Sequence, residues 1–240
     1  TTAELYLKIK AIADKHNIPV VGPNMALGSG EDASIKAMDP IENKKVTYTF
    51  QNAFLKAFLH YLGKTDVYAL GSHTYGNFGE LKWLTEMMPK EFDRPVWITE
   101  FADWHAPNVE AEIDYMIQSV DLMERSPKIQ GYAWFKERVK GNQKLSLLGD
   151  KPGTLTPLGE AYVKMPVHDP AVFYKLPGRL QLESYTSMEG ADIARTKDVD
   201  GFLELKVSDE KARLDYQVFT DRAQTFNAQL RLATTEGAKI

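Results

Sequence analysis

Four short β-rich apolar runs, separated by stretches of helical periodicity, constrain the fold of this chain more than any other feature. They are Ile18-Pro19-Val20-Val21, closed by Gly22-Pro23-Asn24; Asp66-Val67-Tyr68-Ala69-Leu70-Gly71; Pro95-Val96-Trp97-Ile98-Thr99-Glu100-Phe101-Ala102; and Ile129-Gln130-Gly131-Tyr132-Ala133-Trp134-Phe135. Around them, Leu5, Ile9 and Ile12 predict a helix over 3–16, and Phe50, Phe54, Phe58, Tyr61 and Leu62 a second. Leu81 to Met88 reads as a third, and Ile113, Met116, Ile117, Val120 and Met123 mark a fourth. Pro157 to Val163 suits a short final helix with proline at its start. Residues 28–45 are polar and punctuated, and read as a long loop with room for helical turns. Strands that alternate with helices run parallel, because each crossover helix returns the chain to the same end of the sheet. Four such units fill about 165 residues, whereas a closed eight-stranded barrel needs about 250. Residues 1–165 are therefore an open α/β sheet or half of a barrel.

The pattern changes beyond residue 165. Pro166-Val167-His168-Asp169-Pro170 opens a linker expected over 166–178. Arg179 to Tyr185, Gly201 to Val207, Leu214 to Val218 and Phe226 to Ala233 then alternate apolar and polar residues at period two. That alternation predicts an antiparallel β-sandwich segment over 179–240. Its roughly 70 residues fall short of the about 100 of a complete sandwich.

Charge and composition narrow the function classes. The chain has 240 residues, 43% hydrophobic and 26% charged, which supports packed globular structure. A net charge of −4 argues against a nucleic-acid partner. The absence of cysteine excludes disulfides and thiolate chemistry. No apolar run reaches the roughly 18 residues of a membrane span, so no membrane partner is expected. The opening Thr1-Thr2-Ala3-Glu4-Leu5-Tyr6-Leu7-Lys8 lacks a signal-peptide pattern and reads as the interior of a longer protein.

Glu100 is the residue that points to chemistry. It interrupts an apolar strand, where an unpaired buried carboxylate would cost several kcal/mol. It must face a polar cleft at the strand's mouth or be tied into a network, and C-terminal strand ends are where α/β proteins keep their sites. The other strand ends offer Asn24; His73 and Tyr75; and Trp134, Phe135 and Lys136, while Asp103 and Trp104 follow Glu100 directly. Aromatic rings beside a carboxylate suit a carbohydrate, whose C–H faces stack on rings while its hydroxyls hydrogen-bond. Other motifs are weak. Leu27-Gly28-Ser29-Gly30 lacks the Lys-Ser/Thr of a phosphate loop, no Gly-x-Ser-x-Gly elbow occurs, and His60, His73, His105 and His168 show no metal-ligand spacing.

Several segments resemble glycoside hydrolase family 128. These are Val-Trp-Ile-Thr-Glu-Phe-Ala at 96–102, Ser-His-Thr-Tyr-Gly at 72–76, Gly-Tyr-Ala-Trp-Phe at 131–135 and Gly-Thr-Leu-Thr-Pro-Leu-Gly-Glu-Ala-Tyr at 153–162. The resemblance implies a retaining β-1,3-glucanase of (β/α)8 TIM-barrel fold. This chain would carry the C-terminal half, with 18–21, 66–72, 95–99 and 129–135 as strands five to eight. It implies Glu100 as nucleophile, with His73 and Tyr75 in the site and Trp134 flooring it; Trp104 and Asn24 are expected to bind substrate from their places at the strand ends. No cofactor for catalysis is implied. The partner would be a β-glucan oligo- or polysaccharide, and the location extracellular or periplasmic. The family's acid/base Glu lies in an Asn-Glu-Pro motif on the fourth strand, which would precede residue 1, so an upstream half of the same protein is expected to supply it. The tail, through residues 176–190 and Arg213-Leu-Asp-Tyr-Gln-Val218, is similar to family 6 carbohydrate-binding modules. That likeness implies a structural calcium at Gln181 and Glu183. Two other readings compete: a glucan-binding protein without catalysis, and a fragment that pairs with another polypeptide.

Overall fold

Local signals at its two ends define the first helix. α1 (Thr2–Ala13) begins at a capping box, in which the Glu4 amide donates to the Thr1 hydroxyl while the Glu4 side chain reaches back to the N-cap. It runs into a 3-10 turn, Asp14–His16, and ends at Asn17, whose φ of 54° turns the chain toward the sheet. The structure, a computed structural model, describes residues 1–28, 34–197 and 201–231. α1 buries Ala3 and Tyr6, the latter edge-on to Phe58 at 5.3 Å, while Leu5, Ile9 and Ile12 lie on its exposed side.

The first strand is displaced from its expected place. β1 spans Val21–Ala26 rather than 18–21, so Gly22, Pro23 and Asn24 belong to the strand instead of closing it. β1 is an edge strand, where proline's missing donor can face the open side at little cost. The expected loop over 28–45 contains a hairpin of β2 (Ile35–Asp39) and β3 (Lys44–Tyr48). Asp39 organises its turn by accepting the Ile41 and Glu42 amides at 2.7 and 2.8 Å, while Tyr48 donates to its other oxygen at 2.7 Å.

The remaining elements follow the expected alternation: α2 (Gln51–Leu62), β4 (Ala69–Thr74), α3 (Phe78–Phe92), β5 (Val96–Phe101), α4 (Val109–Glu124), β6 (Ile129–Trp134) and α5 (Pro157–Lys164). Asn77, Asn108 and Thr156 cap α3, α4 and α5 through their side chains. β1, β4, β5 and β6 pair in parallel in that order, a mixed α/β arrangement that fits a barrel-like fold. One sheet face packs on the helices. Leu70, Val96, Ile98 and Phe101 are fully buried there, each contributing about 1.5–3 kcal/mol by leaving water. The other face carries Asn24, Gly71, His73, Trp97 and Gly131.

The tail departs from the expected pattern in four places. β7 (Tyr174–Leu176) falls inside the expected linker. Residues 179–185 form no strand: the Ser184 amide is taken by Gln181 O, closing a turn, and pairing resumes at β8 (Ser187–Glu189) and β9 (Ala191–Arg195). β10 (Leu203–Val207) pairs antiparallel with β9, and β11 (Arg213–Asp215) antiparallel with β8, but β12 (Val218–Thr220) runs parallel to β7. Residues 226–231 are not in a strand, and 232–233 of the fourth expected run lie outside the described residues. Tyr185, Met188, Ile193 and Leu203 join the same apolar core as α4. The Arg195 guanidinium holds Asp114 of α4 through two hydrogen bonds, at 2.7 and 3.0 Å. Among the described residues, no helix is long and apolar enough to cross a membrane.

Candidate active site

Glu100 reaches the face away from the helices because β5 carries one extra residue. Strict alternation from Val96 and Ile98 would turn residue 100 toward the helices. Against β4, however, Ser72 pairs with Ile98 and His73 with Glu100, so Thr99 is skipped. Against β6, Tyr132 pairs with Ile98 and Trp134 with Phe101, which again leaves one residue over. Such a bulge re-aims the side chains beyond it. Glu100 therefore joins Trp97 on the open face, and Phe101 returns to the core. The Thr99 hydroxyl donates to Ser72 O at 3.2 Å, so that side chain is not left stranded at the bulge.

Around Glu100 the strand ends converge. The Tyr75 hydroxyl donates to Glu100 Oε2. The Tyr75 ring lies 5.9 Å from His73, edge-on to Trp104 at 5.7 Å and edge-on to Phe135 at 5.3 Å. Trp104 and Phe135 are 6.4 Å apart and inclined by only 33°. Backbone bonds stitch these loops together, from Trp104 N to Tyr75 O and from Phe135 N to Phe101 O. Trp104 is 41% exposed, a free indole face beside a carboxylate. His73 Nδ1 and Trp97 Nε1 are buried without a partner among the described residues. Asn24 stands opposite Gly71 on the same face, and its amide occupies the space where a side chain at Gly71 would be.

The structure thus brings together Glu100, His73, Tyr75 and Trp104, with Asn24 farther along the same face. It does not bring Trp134 to them. Trp134 pairs with the core-facing Phe101, is 7% exposed, packs on Phe101 and Tyr115, and donates its indole N–H to Leu145 O at 2.9 Å. Strand parity gives the reason: Trp134 follows Tyr132 toward the helices, and the open face falls to Ala133 and Phe135. Phe135 takes the place expected of Trp134. The signal for it is the same parity, counted from Gly131, whose missing side chain admits the Trp97 ring. A Cβ at Gly131 would lie 2.7 Å from that ring. Gly131→Ala is expected to cost about 1–3 kcal/mol by overpacking, read as a lower urea midpoint at unchanged m-value.

The loop after β5 has two supports that sequence patterns do not mark. Glu112 of α4 is fully buried, and its Oε1 accepts the Asp103 amide at 2.9 Å. Burial pushes its carboxyl up to about 7, against a smaller lowering by the Asp103 amide. Lys144 donates to Trp104 O at 3.1 Å and to Ala106 O.

Gln181 and Glu183 lie on the turn ahead of β8, apart from these residues in the chain. Calcium takes six to eight oxygens. Among the described residues, no group of three or more His, Cys, Asp or Glu side chains is placed to hold a metal ion. The two side chains alone do not make a calcium shell.

Residues 1–162 match the family model of the glycosyl hydrolase catalytic core. Among solved structures, the chain is similar to a GH128 subgroup II endo-β-1,3-glucanase from Sorangium cellulosum: 28% identity, TM-score 0.57, 70% of this chain and 62% of that one. It is also similar to a GH128 subgroup II endo-β-1,3-glucanase from Pseudomonas viridiflava, with 26% identity, a TM-score of 0.52 and coverage of 69% and 62%. The chain spans 62% of the length of each of these structures. No curated protein matches it.

Proposed function

Because the chain belongs to the glycosyl hydrolase catalytic core family, we propose that it carries the nucleophile half of a β-1,3-glucan hydrolase site. The observation that carries this reading is the bulge that presents Glu100 to the open face, with Tyr75 bonded to one carboxylate oxygen and the Tyr75–Trp104–Phe135 rings alongside. The linkage is supported by the two glucanases named above.

The division of labour at Glu100 follows from its bonds. Tyr75 fixes Oε2 and leaves Oε1 to attack the anomeric carbon. As the Oε1–C1 bond forms, the bond from C1 to the leaving oxygen breaks, and a glycosyl ester results. His73 and Asn24 supply hydrogen bonds to sugar hydroxyls, and Trp104 and Phe135 supply stacking surface. A retaining mechanism needs a second carboxyl about 5–5.5 Å from the first to protonate the leaving oxygen. We assign that proton donor to a segment outside residues 1–240. With a polymeric glucan as substrate, the location we propose is extracellular or periplasmic.

An activated substrate tests the nucleophile without the proton donor, because dinitrophenolate departs unprotonated. With 2,4-dinitrophenyl β-laminaribioside, aryl release and a disaccharide mass increase on the peptide that carries Glu100 are expected. Binding of laminarihexaose with no adduct would replace hydrolysis by the glucan-binding reading. Failure to bind it in preference to cellohexaose would remove the β-1,3 assignment.

A further inference from the structure

All four amides of the loop 103–106 are held, and the deepest hold comes from α4. The Asp103 amide donates to Glu112 Oε1 at 2.9 Å and the Trp104 amide to Tyr75 O at 3.2 Å. The His105 amide goes to Asp103 Oδ1 at 2.8 Å and the Ala106 amide to Asp103 O at 3.2 Å. The carbonyls of Trp104 and Ala106 both accept from Lys144 Nζ. Glu112 Oε2, meanwhile, is buried with no partner among the described residues. A fully buried carboxyl with one oxygen unused is a costly way to accept a single amide bond. Its charge state has a consequence, because an ionised acceptor holds an amide about twice as strongly as a neutral one.

We propose that Glu112 is a positioning residue for sugar binding: through the Asp103 amide, and together with Lys144, it sets the pose of the loop that stands Trp104 beside Glu100. The inference rests on the carbohydrate reading above and adds to it a group that never touches the sugar.

Burial holds the Glu112 carboxyl near neutrality, at about 7. The acid form therefore prevails below that pH and the carboxylate above it. The charged groups facing Glu112 are Asp103, which raises it, and Lys144, which lowers it. Tyr115 lies on the same helix and is itself faced by Glu80 of α3. As pH rises through 7 the carboxylate forms, its grip on the Asp103 amide tightens, and the Trp104 pose becomes better defined. Affinity for a laminari-oligosaccharide should rise about fivefold across that step.

Two readouts test this on the whole chain in a His105→Asn background, which removes a second side chain of a type that titrates near neutrality. The first needs no sugar. The amide NMR shift of Asp103 should titrate near pH 7, lose that step in Glu112→Gln, and move its midpoint to higher pH in Lys144→Met. The second is the ratio of the laminarihexaose dissociation constant of Glu112→Gln to that of its parent between pH 5.5 and 8.5, in which whatever the sugar-contacting His73 contributes is common to both and cancels; the ratio should rise about fivefold across the same step. An affinity in Glu112→Gln that keeps the wild-type pH step overturns the positioning role and leaves the carbohydrate reading standing. Absence of laminarihexaose binding at every pH, with the Asp103 shift still titrating, overturns the carbohydrate reading and this role with it.

Discussion

Glu100→Gln is expected to lower dinitrophenolate release from an activated laminaribioside by at least about 10³-fold, because it removes the attacking oxygen's charge. The size of the loss follows from what an amide keeps. The Gln side chain has the same shape, and its carbonyl oxygen still accepts the Tyr75 hydroxyl. Glu100 also faces the open side of the sheet, so no buried partner is left stranded. Laminarihexaose affinity and the urea midpoint should therefore stay close to wild type. A variant that releases aryl alcohol at near-normal rate would show that another group attacks, and Glu100 would revert to a strand-end residue without chemistry. Tyr75→Phe is the milder companion. It frees Oε2 and leaves the attacking oxygen intact.

Asp121→Ala should destabilise the fold by about 3 kcal/mol, the low end for breaking a buried charged network. Asp121 is 3% exposed and serves three partners: the Tyr185 hydroxyl, Arg125 at 3.0 Å, and His168, whose Nε2 stands 3.8 Å away. His168 in turn stacks on Tyr185 with ring centroids 4.0 Å apart. Removing the carboxylate strands a buried hydroxyl, which alone costs about 1–3 kcal/mol. Arg125 reaches water and limits the remainder. Asp121→Asn keeps an acceptor for Tyr185 and should recover about half of the loss. Urea unfolding followed by tryptophan fluorescence and by far-UV circular dichroism measures both variants. A loss below about 1 kcal/mol would mean that the Arg195–Asp114 pair and the shared apolar core hold the tail to α4 without this network.

How far the sequence reveals this molecule depends on which physical signal each part emits. The alternation of apolar strands with amphipathic helices is long-range and redundant, and it identifies β4, β5, β6 and α2 to α5 near their true places. β1 is harder. Gly22-Pro23-Asn24 carries turn chemistry, and only an edge position lets those residues lie in a strand. The hairpin of β2 and β3 is obscured by its polar surface, since Asp39 and Tyr48 are its only buried residues among those described. In the tail, period two over 179–185 competes with a local turn, and the turn wins: the Ser184 amide finds Gln181 O three residues back, and Leu182 O accepts the Tyr216 hydroxyl. Within the site, residue type and strand-end position point to Glu100, Tyr75, His73 and Trp104. The choice between Trp134 and Phe135 depends on strand parity, and parity is lost wherever a strand gains a residue. Glu112 emits no sequence signal at all, because a helical Glu reads as a solvated face.

The bulge at Thr99 makes this site sensitive to pairing rather than to lettering. Substituting Thr99 leaves the spacing of β5 unchanged, and Glu100 keeps its direction. Deleting Thr99 would leave Ile98, Glu100 and Phe101 in plain alternation, with the carboxylate still opposite His73 and the Phe101 ring still in the core. The shortened strand would give up the Thr99 hydroxyl's bond to Ser72 O. The opposite change is the harmful one: with Thr99 present, a β5 that paired without the skip would swing the carboxylate toward the helices and push the Phe101 ring onto the open face. The chemistry is thus guarded by how β5 is laid against β4, and a lineage that lost the codon for Thr99 would keep its carboxylate where a sugar can meet it.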